Sequence, residues 1–513
     1  MKIKHITTIY GLLFSVSIAF AQQTLNRGMG SEPDSLNIHL AEGLNSHNIL
    51  RDLYEGLMTL DVEGKPVYGV AESHRVQGNV WTFFLKKNSK WSDGSAVIAE
   101  DFVRGWQKAV DPKTASPYAF LLKNIGHGEQ ILQMKLSPDN LGIKAIDEHT
   151  LQIRLWQKDS AFLEKLTLPV FYPLSKSQTN NRPSISNGAY QLLNWRVQEK
   201  IELQKNPYYY QQENIYFDKV IYWNTENQAS ELKRFRAQEL DITESIPDNQ
   251  LAWIQDNLVE ELRIFPYLGS FFLGLNMKDP LLKNKNLRQA LSLAINRKIL
   301  VEKVLKSGQK PAYGILPREL INSLVSSPAL QSYEDRVKKA KQLFKQSGLQ
   351  NKNITLEILY NNSDNQRKVA LAIAAMWRQN LGIKTKLLKQ EWKVFVNSRK
   401  SIKRQAFRSG WIADYADALS FLELFESKSR FNFYRFNNQN YDKLIKQIRL
   451  SQDTLEKNKL IQQAENILLH DIPVIPLYYY VSRHLVNNNI IGFQNNVADR
   501  HLSKFIKRTE DSK

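Results

Sequence analysis

The stretch from Trp81 to Tyr118 constrains this chain more than any other. Trp81-Thr82-Phe83-Phe84-Leu85 is aromatic and β-branched with no helical period, which predicts a strand. Asn88-Ser89-Lys90-Trp91-Ser92-Asp93-Gly94 is a dense cluster of turn formers. From Ala99 to Val110 a helical spacing returns, with Phe102, Val103, Trp106 and Val110 on one side. Strand, turn and helix follow one another without a gap, in an order that chance rarely assembles.

The first residues read as a secretory signal. Lys2 and Lys4 give a basic start, Ile6 to Phe20 is an apolar run too short for a good membrane span, and Ala19-Phe20-Ala21 has the small-x-small cleavage pattern. Cleavage after Ala21 would start the mature chain at Gln22. The chain has no cysteine, so neither a lipid at a cleavage-site thiol nor a disulfide is available, and free diffusion in a periplasm is expected. No later segment approaches 18 unbroken apolar residues. A mature chain of about 490 residues exceeds one compact core, so two or three lobes are expected. At 42% hydrophobic and 11% aromatic residues it can bury those cores. The net charge of +19, or +17 without Lys2 and Lys4, raises the question of nucleic acid. The secretory start and the dispersal of the basic residues favour a solvated basic surface instead.

Further along, Leu25 to Gly30 is a short strand and Asn48 to Leu57 a helix. Leu141 to Leu155 is a hairpin turning at Asp147-Glu148, and Ser160 caps a helix through Leu166. Tyr190 to Trp195 and Lys200 to Lys205 pair antiparallel. Val220 to Trp223 and Leu240 to Thr243 flank a helix over 230–238. In the second half Phe271 to Asn276 is a strand. Ile354 to Tyr360, a helix from Gln366 to Leu381, and Ile383 to Leu388 form a β-α-β unit with parallel pairing. Amphipathic helices follow at Asn440 to Leu450 and Thr454 to Leu468, then a buried strand from Val474 to Val481. No repeat or low-complexity linker appears, which suits lobes joined by paired crossing strands.

Enzymatic signatures are missing. There is no Gly-x-Ser-x-Gly elbow, His-Glu-x-x-His pair or phosphate loop, and Gly28-Met29-Gly30 lacks the third glycine of a dinucleotide fingerprint. The nine histidines include no pair at i, i+4. No cofactor, metal ligand set or catalytic residue is expected. A glycosidase-type carboxylate pair is invisible in sequence, with Asp414 and Asp417 the nearest candidates.

One segment carries the groups that holding a peptide would need. Glu391 to Arg399 is a short helix, and Ala406-Phe407-Arg408-Ser409-Gly410-Trp411-Ile412-Ala413-Asp414-Tyr415 is a strand running into a turn. A free peptide carries an ammonium, a carboxylate and unpaired backbone groups. A strand edge can take the backbone, a carboxylate the ammonium, and a guanidinium the carboxylate. Each residue also has a plainer use. Asp414 suits a turn cap, Arg399 a helix C-terminus, Trp392 and Trp411 a core, and Glu32 the turn before Pro33. Arg408 lies among apolar neighbours, where an unpaired charge is costly.

These motifs resemble the family-5 extracytoplasmic solute-binding proteins, the peptide-binding subunits of ABC importers. The resemblance runs from about Leu25 to Val486. It is densest at the Trp81–Tyr118 stretch, at Asp52-Leu53-Tyr54-Glu55-Gly56-Leu57, at Gly69-Val70-Ala71-Glu72-Ser73, at Pro311-Ala312-Tyr313-Gly314 and from Trp392 to Leu422. It implies an α/β fold of the type II periplasmic-binding-protein kind: two lobes with mixed sheets, a smaller extra subdomain, and the ligand between lobes. The expected division is 22–47 with 170–268 and 480–513, then 48–169, then 269–479. Carried over residue by residue, Asp414 takes the peptide ammonium, Gly410 and Ile412 pair with its backbone, and Arg399 and Arg408 serve carboxylates. Trp392 and Trp411 line pockets, and Glu32 and Tyr118 line the groove. The implied partners are short peptides and an inner-membrane permease, with no nucleic acid, and the protein is expected to be a monomer. A cell-wall peptide, haem, a metal chelate or an oligosaccharide is the alternative ligand, and an extracytoplasmic hydrolase the more distant alternative. There are departures from the family pattern. A cysteine pair found in relatives falls at Gly269 and Ile412, a histidine serving longer peptides falls at Gln366, and a lysine near the Pro311 segment is shifted or absent, with Leu305 and Lys306 nearby.

Overall fold

A computed structural model of the protein describes residues 23–178, 182–320, 331–451 and 453–509, leaving aside the side chains of Trp392 and Lys393. The expected signal, residues 1–21, lies outside the described residues. Among the described residues no helix is long and apolar enough to cross a membrane.

The Trp81–Tyr118 stretch folds as its pattern predicts. Strand Val80–Leu85 is the second strand of a four-stranded antiparallel sheet, and helix Ala99–Val110 packs with Phe102 and Trp106 fully buried. The turn between them is fastened by one carboxylate. Asp101 Oδ2 accepts from Trp91 Nε1 at 2.9 Å and from the Ile98 N–H at 3.1 Å, while its Oδ1 accepts from Arg104. Gly94 closes the turn at φ +86°, a conformation that favours glycine. This string is therefore an architectural lock. The same sheet contains the hairpin Ile143–Asp147 and Thr150–Arg154.

A second four-stranded sheet joins Thr24–Gly28, in parallel, to Lys219–Trp223, and continues antiparallel through Lys200–Lys205 and Tyr190–Arg196. Leu240 to Thr243 is not a strand; only Ile242 makes isolated bridges, to Arg27 and Val486. The third sheet has six strands. Its centre is the long pair Leu262–Leu275 and Val474–Leu485, antiparallel along most of their length. Strand Ala406–Ile412 pairs with the first of these, and Thr355–Asn361 with Lys384–Gln390 forms the expected parallel unit around helix Asp364–Leu381.

Two further expectations are corrected. The helix expected over Asn48–Leu57 runs instead from Leu44 to Leu53. Tyr54 turns extended because Gly188 donates to the Leu53 carbonyl and presses so close that a Cβ there would lie 2.6 Å from the Asp52 oxygen. Ser160 is not a cap: its hydroxyl has no hydrogen bond, and Asp159 accepts from the Ala161 N–H ahead of a short helix, Phe162–Lys165.

Candidate functional site

Strand Ala406–Ile412 is unequally paired. Leu262–Leu275 covers one edge along its whole length, from Ala406 to Ile412. On the other edge Thr355–Asn361 pairs only with Ala406 and Phe407. From Arg408 onward that edge faces a cleft of about 340 Å³ lined by Arg399, Arg408, Gly410, Trp411, Ile412 and Asp414, with Tyr118 from the facing side. Two further cavities, of about 490 and 810 Å³, adjoin it and share Trp411 and Phe431 with it.

Asp414 closes one end. It is half-buried, and its Oδ1 accepts from the Tyr118 hydroxyl at 3.1 Å across a separation of 296 residues. Its own N–H donates to Ser420 Oγ at 2.9 Å, so the backbone turn is held without using the carboxylate. Burial pushes the carboxyl up to about 6, and the Tyr118 hydrogen bond and the Arg500 charge oppose that rise without cancelling it. A carboxylate so placed gains most from a cation arriving beside it.

Two guanidiniums lie in the same cleft. Arg399 packs over Phe433 at 5.0 Å, and burial, offset in part by Tyr434, lowers its pKa; its Nε has no hydrogen-bond partner among the described residues. Arg408 lies over Phe271 at 5.5 Å and hydrogen-bonds Tyr480. Between the arginines and Asp414 runs the open strand edge. Gly410 is required there, since an added Cβ would meet the Tyr480 hydroxyl at 2.9 Å and the Ser270 carbonyl at 3.0 Å. Trp411 packs edge-on against Phe431 at 5.1 Å and donates weakly to Ser420 Oγ.

The structure thus gathers Asp414, Arg408, Arg399, Gly410, Trp411, Ile412 and Tyr118 around one cleft. Trp392 begins helix Trp392–Ser398, but its side chain lies outside the described residues. Glu32 lines none of these cavities; its carboxylate accepts from Trp195 Nε1 at 2.6 Å and the Gln198 N–H at 2.9 Å, tying down a hairpin. Glu42, Phe431 and Tyr480 also line the cleft, Arg430 lines the adjoining cavities, and none of the four was read from sequence. Gly269 and Ile412 are direct partners across the two strands, as a bridging pair requires. In place of a bridge, the Tyr480 ring fills the space above Gly269, where a Cβ would lie 2.4 Å from Cδ2. Gln366 hydrogen-bonds Tyr478.

One cluster resembles a metal ligand set: His484, Asp499 and His501, whose ligand atoms lie within 4.8 Å of one another. Both imidazoles already share Asp499 Oδ1, at 2.9 and 3.1 Å. Burial alone would lower the His484 pKa, but the Asp499 charge and hydrogen bond raise it to about 9. The group is a satisfied ion pair, and a protonated His484 opposes a cation.

Residues 65–433 match the profile of the bacterial extracellular solute-binding proteins, family 5 middle region. The periplasmic oligopeptide-binding protein OppA of Escherichia coli is 36% identical over 487 residues, covering 92% of this chain and 90% of OppA. The structure of the Escherichia coli murein tripeptide binding protein MppA superposes with a TM-score of 0.85 at 34% identity, covering 95% of this chain and 99% of that one. Haemophilus influenzae OppA in complex with RPPGFSPFR gives 0.83 at 31% identity, covering 95% and 99%. The fold is that of the type II periplasmic binding proteins, with mixed sheets. The chain belongs to family 5 of the bacterial extracellular solute-binding proteins.

Proposed function

We propose that this protein is the periplasmic substrate-binding subunit of a peptide ABC importer, a receptor rather than an enzyme, which encloses short peptides and hands them to a membrane permease. The observation that carries this reading is the strand edge at Gly410 and Ile412, past the end of the ladder with Thr355–Asn361, leading from two guanidiniums to a carboxylate. That geometry matches the three polar features every peptide shares, and it takes no account of side chains. In this reading Asp414 takes the ammonium, Gly410 and Ile412 the backbone, and Arg399 or Arg408 the carboxylate according to ligand length. The large adjoining cavities leave room for side chains and bridging water. The names of the relatives, oligopeptide and murein tripeptide binders, support the same ligand class.

We place one lobe at 22–47 with 170–268 and 480–513, a smaller one at 48–169 and a third at 269–479. The two inner boundaries of this division fall inside the long strands Leu262–Leu275 and Val474–Leu485, which would then cross between lobes.

The direct test is calorimetry with trialanine and its N-acetylated form. Trialanine should bind, and acetylation should cost at least tenfold in affinity, about 1.4 kcal/mol. Equal affinities would remove the ammonium from the recognition. pH gives a second check. Asp414 accepts a proton below about 6 in the free protein, and an ammonium partner would lower that value. Affinity should therefore be greatest near pH 7, fall towards tenfold per unit below about 6 as Asp414 is protonated, and fall again above about 8 as the peptide ammonium loses its proton, with protons released on binding at pH 5.5. A flat profile down to pH 5 would contradict the role given to Asp414.

A further inference from the structure

Asp414 also lines a second, small cavity of about 20 Å³, to which no residue of the strand Ala406–Ile412 contributes. Arg51 and Arg500 both line it. Both are buried, at 7% and 6% exposure. Neither is within ion-pair distance of any carboxylate among the described residues. Arg500 Nη1 has only a long contact to Asn48 Oδ1, at 3.4 Å. Arg51 is more exceptional: its Nε and Nη1 are buried and have no hydrogen-bond acceptor among the described residues. Burial, and then the Arg500 charge, lower the Arg51 pKa to about 10, and the groups that oppose this are tyrosines: Tyr172, Tyr118 and Tyr267. Nearby His47 is held neutral by burial and by the same two arginines.

Two buried like charges that line one cavity, with unmet donors on Arg51, favour an acceptor that also carries negative charge. Asp414 and Glu164 reach the cavity wall but pair with neither guanidinium. Asp414 is engaged by Tyr118 on the cleft side. We propose that Arg51 and Arg500 hold a single halide ion, chloride under ordinary conditions, in this small cavity. The cavity is small, about 20 Å³, which favours a compact ion over a carboxylate-bearing chain. Charge selects it over water, since a water would accept the N–H groups but leave the two guanidiniums repelling each other.

The ion also bears on the ligand. With the arginines uncompensated, a cation arriving at Asp414 meets their repulsion; a bound halide reduces it. Peptide affinity should then be severalfold higher in chloride than in gluconate at equal ionic strength. This consequence rests on the peptide reading and fails with it, whereas the site itself is tested without peptide. Crystals of the mature protein grown in sodium bromide should give an anomalous-difference peak between Arg51 and Arg500. The ligand-free protein should melt roughly 2 °C higher in chloride than in gluconate at equal ionic strength. Arg51→Met should lose both the peak and the difference. Ordinary water density with no bromide signal in the wild type overturns the proposal, as does a wild-type melting temperature indifferent to halide. Both readings are available even if the variant does not fold.

Discussion

Replacing Asp414 with asparagine is expected to weaken the binding of short unblocked peptides by at least tenfold at pH 7.5 while leaving the fold intact. Truncating one partner of a desolvated charge pair costs about 2–5 kcal/mol, because the remaining charge, here the ligand ammonium, stays in the cleft without its counterion. Asparagine keeps an oxygen for the Tyr118 hydroxyl, and the turn is held by the Asp414 N–H on Ser420, which the substitution preserves. The sign for the free protein is opposite. A carboxyl whose pKa burial has raised to about 6 is happier protonated when folded, so its ionised form works against folding above that pH. Asp414→Asn should therefore melt at the same temperature as the wild type or slightly above it at pH 8, without ligand. Calorimetry and melting together separate the two effects. A binding constant within twofold of the wild type would remove Asp414 from the site, and a large drop in melting temperature would make it structural. N-acetylated peptide should not distinguish wild type from variant, since it brings no ammonium to lose.

Much of this was legible because it is local. The helix Ala99–Val110 has its predicted limits, since its apolar spacing and the acidic first turn are sequence-adjacent. The β-α-β unit around Asp364–Leu381 was readable for the same reason. The candidate site was readable where it is contiguous: Arg408, Gly410, Trp411, Ile412 and Asp414 lie within one strand and its turn. What the sequence could not show is set by distant contacts. The helix expected to reach Leu57 has an apolar pattern that continues, with Ile49, Leu50, Leu53 and Leu57 all buried. It ends at Leu53 because groups far along the chain take the next backbone positions: Gly188 donates to the Leu53 carbonyl, and Asn187 bonds both the N–H and the carbonyl of Glu55. Glu42, Arg430 and Tyr480 reach the cleft or the cavity beside it from three separate segments, and no spacing connects them. Tyr480 carried a faint signal, as one of three consecutive tyrosines in a strand, where alternate side chains must face opposite sides.

Glu55→Ala should produce the largest loss of stability we predict, about 3–5 kcal/mol in urea unfolding at pH 7. The acids of the Asp52–Leu57 motif serve the architecture. Asp52 accepts from the Ser503 N–H at 2.9 Å and the Tyr222 hydroxyl at 2.7 Å. Glu55 is 3% exposed and takes three donors: Lys504 at 2.7 Å, Tyr209 at 2.8 Å and Tyr210 at 2.7 Å. Both acids fasten the C-terminal segment to the helix Leu44–Leu53 and its extension. Burial would raise the Glu55 pKa, but Lys504 and the hydrogen bonds from Lys504, Tyr210 and Tyr209 outweigh it and hold the carboxyl below its ordinary value of 4.5. A depressed carboxyl contributes stability that is present above its unfolded pKa and lost as pH falls through the folded one. The penalty of Glu55→Ala should accordingly shrink on acidification below pH 4.5. The single substitution strands a buried ammonium and two hydroxyls, whereas Glu55→Ala with Lys504→Met removes both charges. The double variant should therefore recover part of the loss, giving a coupling energy of about 0.5–3 kcal/mol in a double-mutant cycle. A single-variant cost near that of a surface change, about 0.5 kcal/mol, would mean that Lys504 finds water as readily as it finds Glu55.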